Sequence, residues 1–373
     1  VPYYFDHNAT TPVSPEVFQA MAPMLTEVYG NASSIHAFGQ QARHALDDAR
    51  RSVAAMLGAK PEEIVFTSGG TEADNMAIFG VSGHVITATA EHPAVLEAGA
   101  QLPSVTVVPV DHRGVVDPEA VRLAIRPDTK LISVMHVNNE LGVIQPIEEI
   151  AKIARTSGIL FHSDGVQAIG KLPVHVDELG VDLYSVSAHK IYGPKGVGAL
   201  YVRKGTEVRP TLYGGPQERK RRAGTENVAG AVGFGRAAQW VMQEGAAEAP
   251  REGTLRDRLE QGILARVPGA HVNGTGAPRV ANTSNMRFDG IDSEPLLIAL
   301  DLKGFAVSSG SACSSGATEP SHVLAAIGLS KEQARSSVRF SLGRSNTTEQ
   351  IDALIDAVVE VVARLRKLAP AYA

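Results

Sequence analysis

Between residues 60 and 203 the chain alternates short apolar runs with stretches of helical periodicity, and no other feature of the sequence restricts the fold as much. The runs at 64–67, 84–88, 105–108, 131–135, 159–162 and 182–186 are almost continuously apolar rather than alternating. That pattern suits strands buried on both faces of a sheet. Helical patterns separate them, among them 71–79 and 147–156. The expected class is therefore α/β, a layered domain around a mainly parallel sheet.

Sheets of this kind place ligands beyond the carboxyl ends of their strands. The residues at those ends are polar in succession: Ser68-Gly69-Gly70-Thr71, Glu91-His92, Asn138-Asn139-Glu140, Asp164-Gly165-Val166-Gln167 and Ser187-Ala188-His189-Lys190. A single cluster is ordinary loop chemistry, whereas five at equivalent positions predict one composite site. After a helical stretch at about 226–243, Gly245-Ala246-Ala247-Glu248-Ala249-Pro250 reads as a break. A new helix is expected at about 252–267, and a smaller α+β domain after residue 250. The last helix is amphipathic, with Ile351, Leu354, Ile355, Val358, Val362 and Leu365 on one face.

Composition narrows the function classes. The 373 residues carry 35 basic and 40 acidic side chains, a formal charge of -5, so a dedicated nucleic-acid binder is disfavoured. One cysteine closes no intrachain disulfide and builds no cysteine cage, and no intrinsic metal site is expected. No apolar run nears the ~20 residues of a membrane span, and the first residues lack the pattern of a signal peptide. A cytoplasmic protein without membrane partners is the expectation.

Each motif has a structural reading beside a chemical one. Ser68-Gly69-Gly70-Thr71-Glu72 opens a helix after a strand, either as a phosphate cradle or as a helix capped by Thr71. It is neither a Walker loop nor a dinucleotide fingerprint. Lys190 follows a buried strand, where desolvation favours a reactive amine, although a lone lysine in a Gly/Pro loop is usually a surface residue. Asp164 can pair with a protonated pyridine nitrogen or cap a helix. Gln167 suits a cofactor hydrogen bond or a capping box. His92 is a stacked ring or a structural histidine. Arg339, in a strand-like run, can fork onto a carboxylate or join a salt bridge. Cys313 lies in Ser308-Ser309-Gly310-Ser311-Ala312-Cys313-Ser314-Ser315-Gly316. Those small polar flanks predict an accessible thiol on a flexible loop rather than a core residue. The run Arg219-Lys220-Arg221-Arg222 leads into a second Gly-Thr helix start at Gly224-Thr225.

In combination these blocks resemble the NifS/IscS-type cysteine desulfurases, pyridoxal phosphate enzymes of the class V aminotransferase group. Further matching blocks are Asn8-Ala9-Thr10-Thr11-Pro12, His136 to Gly142, Arg222 to Asn227 and Ser337 to Arg344, in family order over nearly the whole chain. The resemblance implies the fold type I transferase architecture, a large domain at 13–249 with a mixed, mostly parallel seven-stranded sheet. A small domain would combine 1–12 with 250–373. It implies Lys190, Cys313 and His92 as catalytic residues. Pyridoxal 5'-phosphate would be held by Gly70, Thr71, His92, Asp164, Gln167, Ser187, His189, Lys190 and, from the other subunit of a homodimer, Thr225. Asn139 and Arg339 would hold the substrate carboxylate. The implied reaction converts L-cysteine to L-alanine and leaves the sulfur on Cys313 as a persulfide, for an acceptor such as an iron–sulfur scaffold. A selenocysteine lyase or aminotransferase would share Lys190 and Asp164 without needing Cys313, and a silent scaffold would need none of them. Pro216 and Lys220 stand where relatives often carry glycine.

Overall fold

A computed structural model describes residues 2–310 and 320–368. Its centre is a seven-stranded sheet formed by β2 (Ile64–Thr67), β3 (His84–Ala88), β4 (Val105–Val108), β5 (Thr129–Ser133), β6 (Leu160–Asp164), β7 (Leu183–Ser187) and β8 (Gly198–Val202). The spatial order is β2-β8-β7-β6-β5-β3-β4. β8 pairs antiparallel with both β2 and β7, while the four remaining pairings are parallel. A short pair, β1 (Tyr3–Tyr4) with β11 (Phe305–Ala306), and an antiparallel sheet of β12 (Ser337–Ser341), β10 (Thr283–Phe288) and β9 (Ala270–Val272) lie outside it.

The apolar runs form the strands because helices cover both sheet faces. β2, β3, β7 and β8 are buried at every residue, while the edge strand β4 opens to solvent at Val107 and β5 at Lys130, near its start. Three strands begin and end where the sequence predicts. β5, β6 and β7 are offset by one or two residues, so Asp164 and Ser187 are the last residues of their strands.

The break expected near Pro250 does not occur. One helix runs Val228–Arg266 with Pro250 inside it. An interior proline forfeits a hydrogen bond at a cost of ~3 kcal/mol, and packing at both ends of this helix offsets that. Phe234, Ala237 and Ala238 are buried in the core around the large sheet, and Leu255, Leu259 and Ile263 in a second core with Phe5, Phe288, Phe340 and Val358. The second core takes in the apolar face of the last helix, Thr348–Leu368, as its periodicity predicts. Val323, Leu324, Ile327 and Ala334 join the core around the large sheet despite their late place in the chain.

Backbone strain gathers in one loop. Glu218, Arg219 and Lys220 take φ of 43°, 56° and 66°, the left-handed region. A buried ion pair holds Glu218 there. Arg50 forks onto Glu218 with two 2.7 Å bonds, and Glu218 also accepts the Phe66 N–H at 3.0 Å. Lys220 has no such compensation at φ 66°. Lys220→Gly should therefore raise stability by roughly 0.5–1 kcal/mol, the left-handed penalty less glycine's entropy, read as a higher denaturant midpoint at unchanged slope. A lower midpoint would show that the loop is not strained at this position.

Candidate active site

The polar strand ends converge as the alternation predicts. One cavity of about 630 Å³ is lined by Gly70, Thr71, His92, Asn139, Asp164, Gln167, Ser187, His189, Lys190 and Arg339, together with Asn8, Asp74 and Glu140. Its volume suits a cofactor with a small substrate. Thr225 is exposed and does not line this cavity. Cys313 lies outside the described residues.

The helix Gly70–Phe79 starts without a side-chain cap; its N-cap is Gly69, so Thr71 is not the capping residue. The first N–H groups of such a helix are unsatisfied and favour an anion. Gly70 is required for close approach, because a Cβ there would meet Val166 Cγ2 at 2.7 Å. On the facing strand end, the Ser187 hydroxyl is buried without a hydrogen-bond partner. His189 places Nδ1 3.1 Å from the Thr10 hydroxyl. Burial and the Lys190 charge push its imidazole down to about 4, so it enters the site neutral.

His92 caps the Pro93–Ala100 helix, its Nδ1 accepting the Ala94 N–H at 3.1 Å. That bond leaves the hydrogen of the neutral ring on Nε2. Burial lowers the His92 pKa, opposed by the Asp164 charge, and the ring is neutral near pH 7. Structural cap and cavity wall are here the same residue.

Asp164 ends β6 and is 6% exposed. One oxygen accepts the Val166 N–H at 2.8 Å. Burial raises its pKa, with His92 and Lys190 drawing it back. Two further buried carboxyls share this region. Asp74 and Glu91 are both lifted well above the usual range, first by burial and also by the Asp164 charge. Glu91 accepts the Met135 N–H at 2.8 Å, and its other oxygen has no partner. Asp74 Oδ1 is 3.6 Å from His162 Nε2, a ring that burial holds neutral at about 3. A cationic ring nitrogen against Asp164 is the kind of group this cluster accommodates.

Lys190 sits in the short turn after β7 and donates to the carbonyls of Asn8 at 2.5 Å and Ala9 at 2.8 Å. Gln167 donates Nε2 to the same Asn8 carbonyl at 2.9 Å, so it forms no capping box. Arg339 is 2% exposed, makes the salt bridge open to it and also lines the cavity. Its Nη2 pairs with Asp6 at 2.7 Å, its Nη1 reaches the Asn139 carbonyl at 2.9 Å, and its Nε is buried without a partner. Asn139 Oδ1 is likewise unpartnered. Both groups are suited to a substrate carboxylate and amine.

Sequence reasoning assigned no role to Asn8, which links the site together. Its side chain bonds Asn139, Thr283, Lys171 and Asn282, and its carbonyl serves Gln167 and Lys190. Glu140, buried and bonded by the Ser321 hydroxyl at 2.6 Å, falls in one of the expected strand-end clusters but was likewise given no role. No strand or helix period marks either residue. Among the described residues no group of three or more His, Cys, Asp or Glu can hold a metal, and no helix is long and apolar enough to cross a membrane.

Comparison with known proteins gives concordant results. The profile of the aminotransferase class-V family matches residues 3–354. A cysteine desulfurase IscS of Dictyoglomus turgidum is 48% identical over 98% of this chain and 96% of its own length. A cysteine desulfurase IscS of Methanosarcina thermophila is 49% identical over 98% of this chain and 93% of its own. Among solved structures, a NifS-like protein superimposes with a TM-score of 0.92 at 38% identity, covering 98% of this chain and 100% of that one. The structure of SspA in complex with cysteine gives a TM-score of 0.80 at 36% identity, over 91% of this chain and 98% of that one.

Proposed function

The chain belongs to the class-V aminotransferase family, and on that premise we propose that it is a pyridoxal 5'-phosphate-dependent cysteine desulfurase. The observation that carries the reading is one cavity joining the Lys190 amine, the buried Asp164 carboxyl and the uncapped start of the Gly70–Phe79 helix. The unpartnered Ser187 hydroxyl and the helix start without a side-chain cap fit a phosphate, and the self-repelling carboxyls fit a protonated ring nitrogen. Bound there, the cofactor supplies an electron sink for charge developing at a substrate Cα.

The residues divide the remaining work. Gly70, Thr71, Ser187 and His189 hold the phosphate with backbone and neutral side-chain donors. Asp164 holds the ring nitrogen in its protonated form, Gln167 the phenolic oxygen and His92 the ring face. Lys190 anchors the cofactor and moves the proton at the substrate Cα, with His92 as a second acid–base group. Arg339 and Asn139 orient the substrate carboxylate. The Cys313 thiolate attacks the substrate sulfur, the carbon–sulfur bond breaks, and the sulfur stays on Cys313 as a persulfide while the carbon skeleton leaves as L-alanine. An acceptor protein, such as an iron–sulfur scaffold, would consume that persulfide. A thiol with this task needs a reducing compartment, which is why the reading places the protein in the cytoplasm. The cofactor-binding unit is 13–249, with 1–12 and 250–373 as a smaller unit; the second core, with Phe5 and residues from 255 onward, supports this division, although Val323, Leu324, Ile327 and Ala334 pack with the large unit and the Val228–Arg266 helix spans both.

Purified protein supplied with pyridoxal 5'-phosphate and L-cysteine should release alanine and gain sulfane sulfur on the Cys313 peptide. Alanine without bound sulfur, or neither product, would overturn the reading. We further assign Thr225 to the cofactor phosphate of a second copy in an isologous homodimer. Thr225→Ala should then weaken cofactor retention about tenfold, the loss of a charge-assisted hydrogen bond, as measured by equilibrium dialysis. A fully active monomer in sedimentation would remove the basis for that role.

A further inference from the structure

A second lysine stands beside Lys190 with no task in the scheme above. Lys171 lies four residues after Gln167 in a run of turns, and its ammonium reaches Asn8 Oδ1 at 2.9 Å and Gln167 Oε1. Gln167 Nε2 donates to the Asn8 carbonyl, which also accepts from Lys190. Lys171, Gln167, Asn8 and Lys190 thus form one connected network. On its far side is a chamber of about 20 Å³ lined by Lys171, Lys190, His7, Tyr192 and Glu252. It has room for at most one water molecule.

A glutamine amide is nearly symmetric in shape, and its terminal torsion has two roughly equivalent wells. Only its partners distinguish the oxygen from the nitrogen. While protonated, Lys171 can only donate, so it commits Oε1 to itself, and the Asn8 carbonyl, which can only accept, holds Nε2 on the other side. We propose that Lys171 is a positioning residue of the active site: with Glu252 as its counter-charge across the small chamber, it locks the Gln167 amide and sets the electrostatic potential at the Lys190 amine. The inference rests on the roles proposed for Gln167 and Lys190.

The groups facing Lys171 come from four parts of the fold. They are Lys190 and Tyr192 after β7, His7 of the N-terminal segment, Glu248 and Glu252 of the long helix, and Arg339 of β12. His7 is held neutral by burial, at about 4, and burial pushes the Tyr192 hydroxyl above its usual range. Neither carries charge near neutral pH. Burial, then the Lys190 charge, push Lys171 down to about 7, while burial lifts Glu252 to about 7 against the pull of Lys171. Lys171 and Glu252 are therefore the two groups whose charges are balanced here, and Lys190 borders the same chamber as both.

The signs differ between variants, and the test uses that. Removing the ammonium in Lys171→Met relieves repulsion of a protonated Lys190 nitrogen and releases the Gln167 amide. Both effects favour the protonated form. Removing the carboxylate in Glu252→Gln has the reverse effect. Protein loaded with pyridoxal 5'-phosphate is titrated while the Lys190-linked visible absorption is followed. The midpoint should rise by about half a pH unit or more in K171M and fall by a similar amount in E252Q. In Gln167→Leu it should rise, and adding K171M to Q167L should shift it less than K171M alone. An unchanged midpoint in K171M, or movement of K171M and E252Q in the same direction, would overturn the proposal. If K171M does not fold, a fixed or raised midpoint in E252Q overturns it equally. Wild-type protein that gains no visible band would instead defeat the cofactor assignment beneath it.

Discussion

With serine in place of Cys313, alanine release from L-cysteine should fall by roughly 10³-fold or more, while cofactor binding and the visible absorption stay as in the wild type. The magnitude follows from the nucleophile: a serine hydroxyl keeps its proton at neutral pH and a thiol does not hold its proton as firmly. Cofactor binding should be spared because every cofactor-holding residue proposed above belongs to another segment. Selenocysteine, whose carbon–selenium bond breaks with less nucleophilic assistance, should retain part of its turnover. Mass spectrometry of the wild type after exposure to L-cysteine should find one added sulfur atom on the peptide containing the single cysteine. Should C313S desulfurate L-cysteine at the wild-type rate, the persulfide route fails and a lyase or aminotransferase takes its place.

Lys190→Ala should remove turnover altogether, a loss of roughly 10⁵-fold or more, since one amine both anchors the cofactor and moves the substrate proton. The uncapped helix start, Ser187 and Asp164 remain, so the variant should still bind the cofactor, reversibly and removable by dialysis. Borohydride reduction of the wild type should fix the pyridoxyl group on the Lys190 peptide. Recovery on Lys195, five residues on in the same loop, would transfer the role. The carbonyls of Asn8 and Ala9 that hold the amine at 2.5 and 2.8 Å constrain where it lies. Lys190→Arg, which puts a longer side chain there that cannot lose its proton, should fare no better than Lys190→Ala.

What could be read in the sequence was what depends on local order. Strands buried on both faces show as apolar runs, their carboxyl ends show as polar clusters, and the sheet brings those ends together. Asp164, His189 and Lys190 were legible for that reason. Asn8 was not, because nothing within twelve residues of it explains its position; its partners lie at 139, 167, 190, 282 and 341. Lys171 drew no reading from the sequence, and only tertiary packing brings it to Asn8 and Gln167. Pro250 is a strong local stop signal, yet the Val228–Arg266 helix is anchored in a separate core at each end. Local propensity lost there to packing on either side. For Arg339 the sequence offered a carboxylate fork or a salt bridge as alternatives, and the structure shows the pair with Asp6 in a side chain that also borders the cavity.

The N-terminal segment sets an order of assembly. The Asn8 N–H bonds the Ser341 hydroxyl at 3.0 Å, and Asp6 pairs with Arg339, contacts 333 residues apart along the chain. Synthesis delivers residues 6–11 long before their partners. On the ribosome, the large sheet can complete itself once β8 has emerged, while the wall of the cavity formed by Asn8 and Ala9 must wait for residue 341. A nascent chain therefore carries Lys190 for well over a hundred residues of further synthesis before the carbonyls that hold its amine are locked in place. The chemistry is withheld from partly made chains by topology alone, and a protein shortened by its first eleven residues should keep its sheet and lose its site.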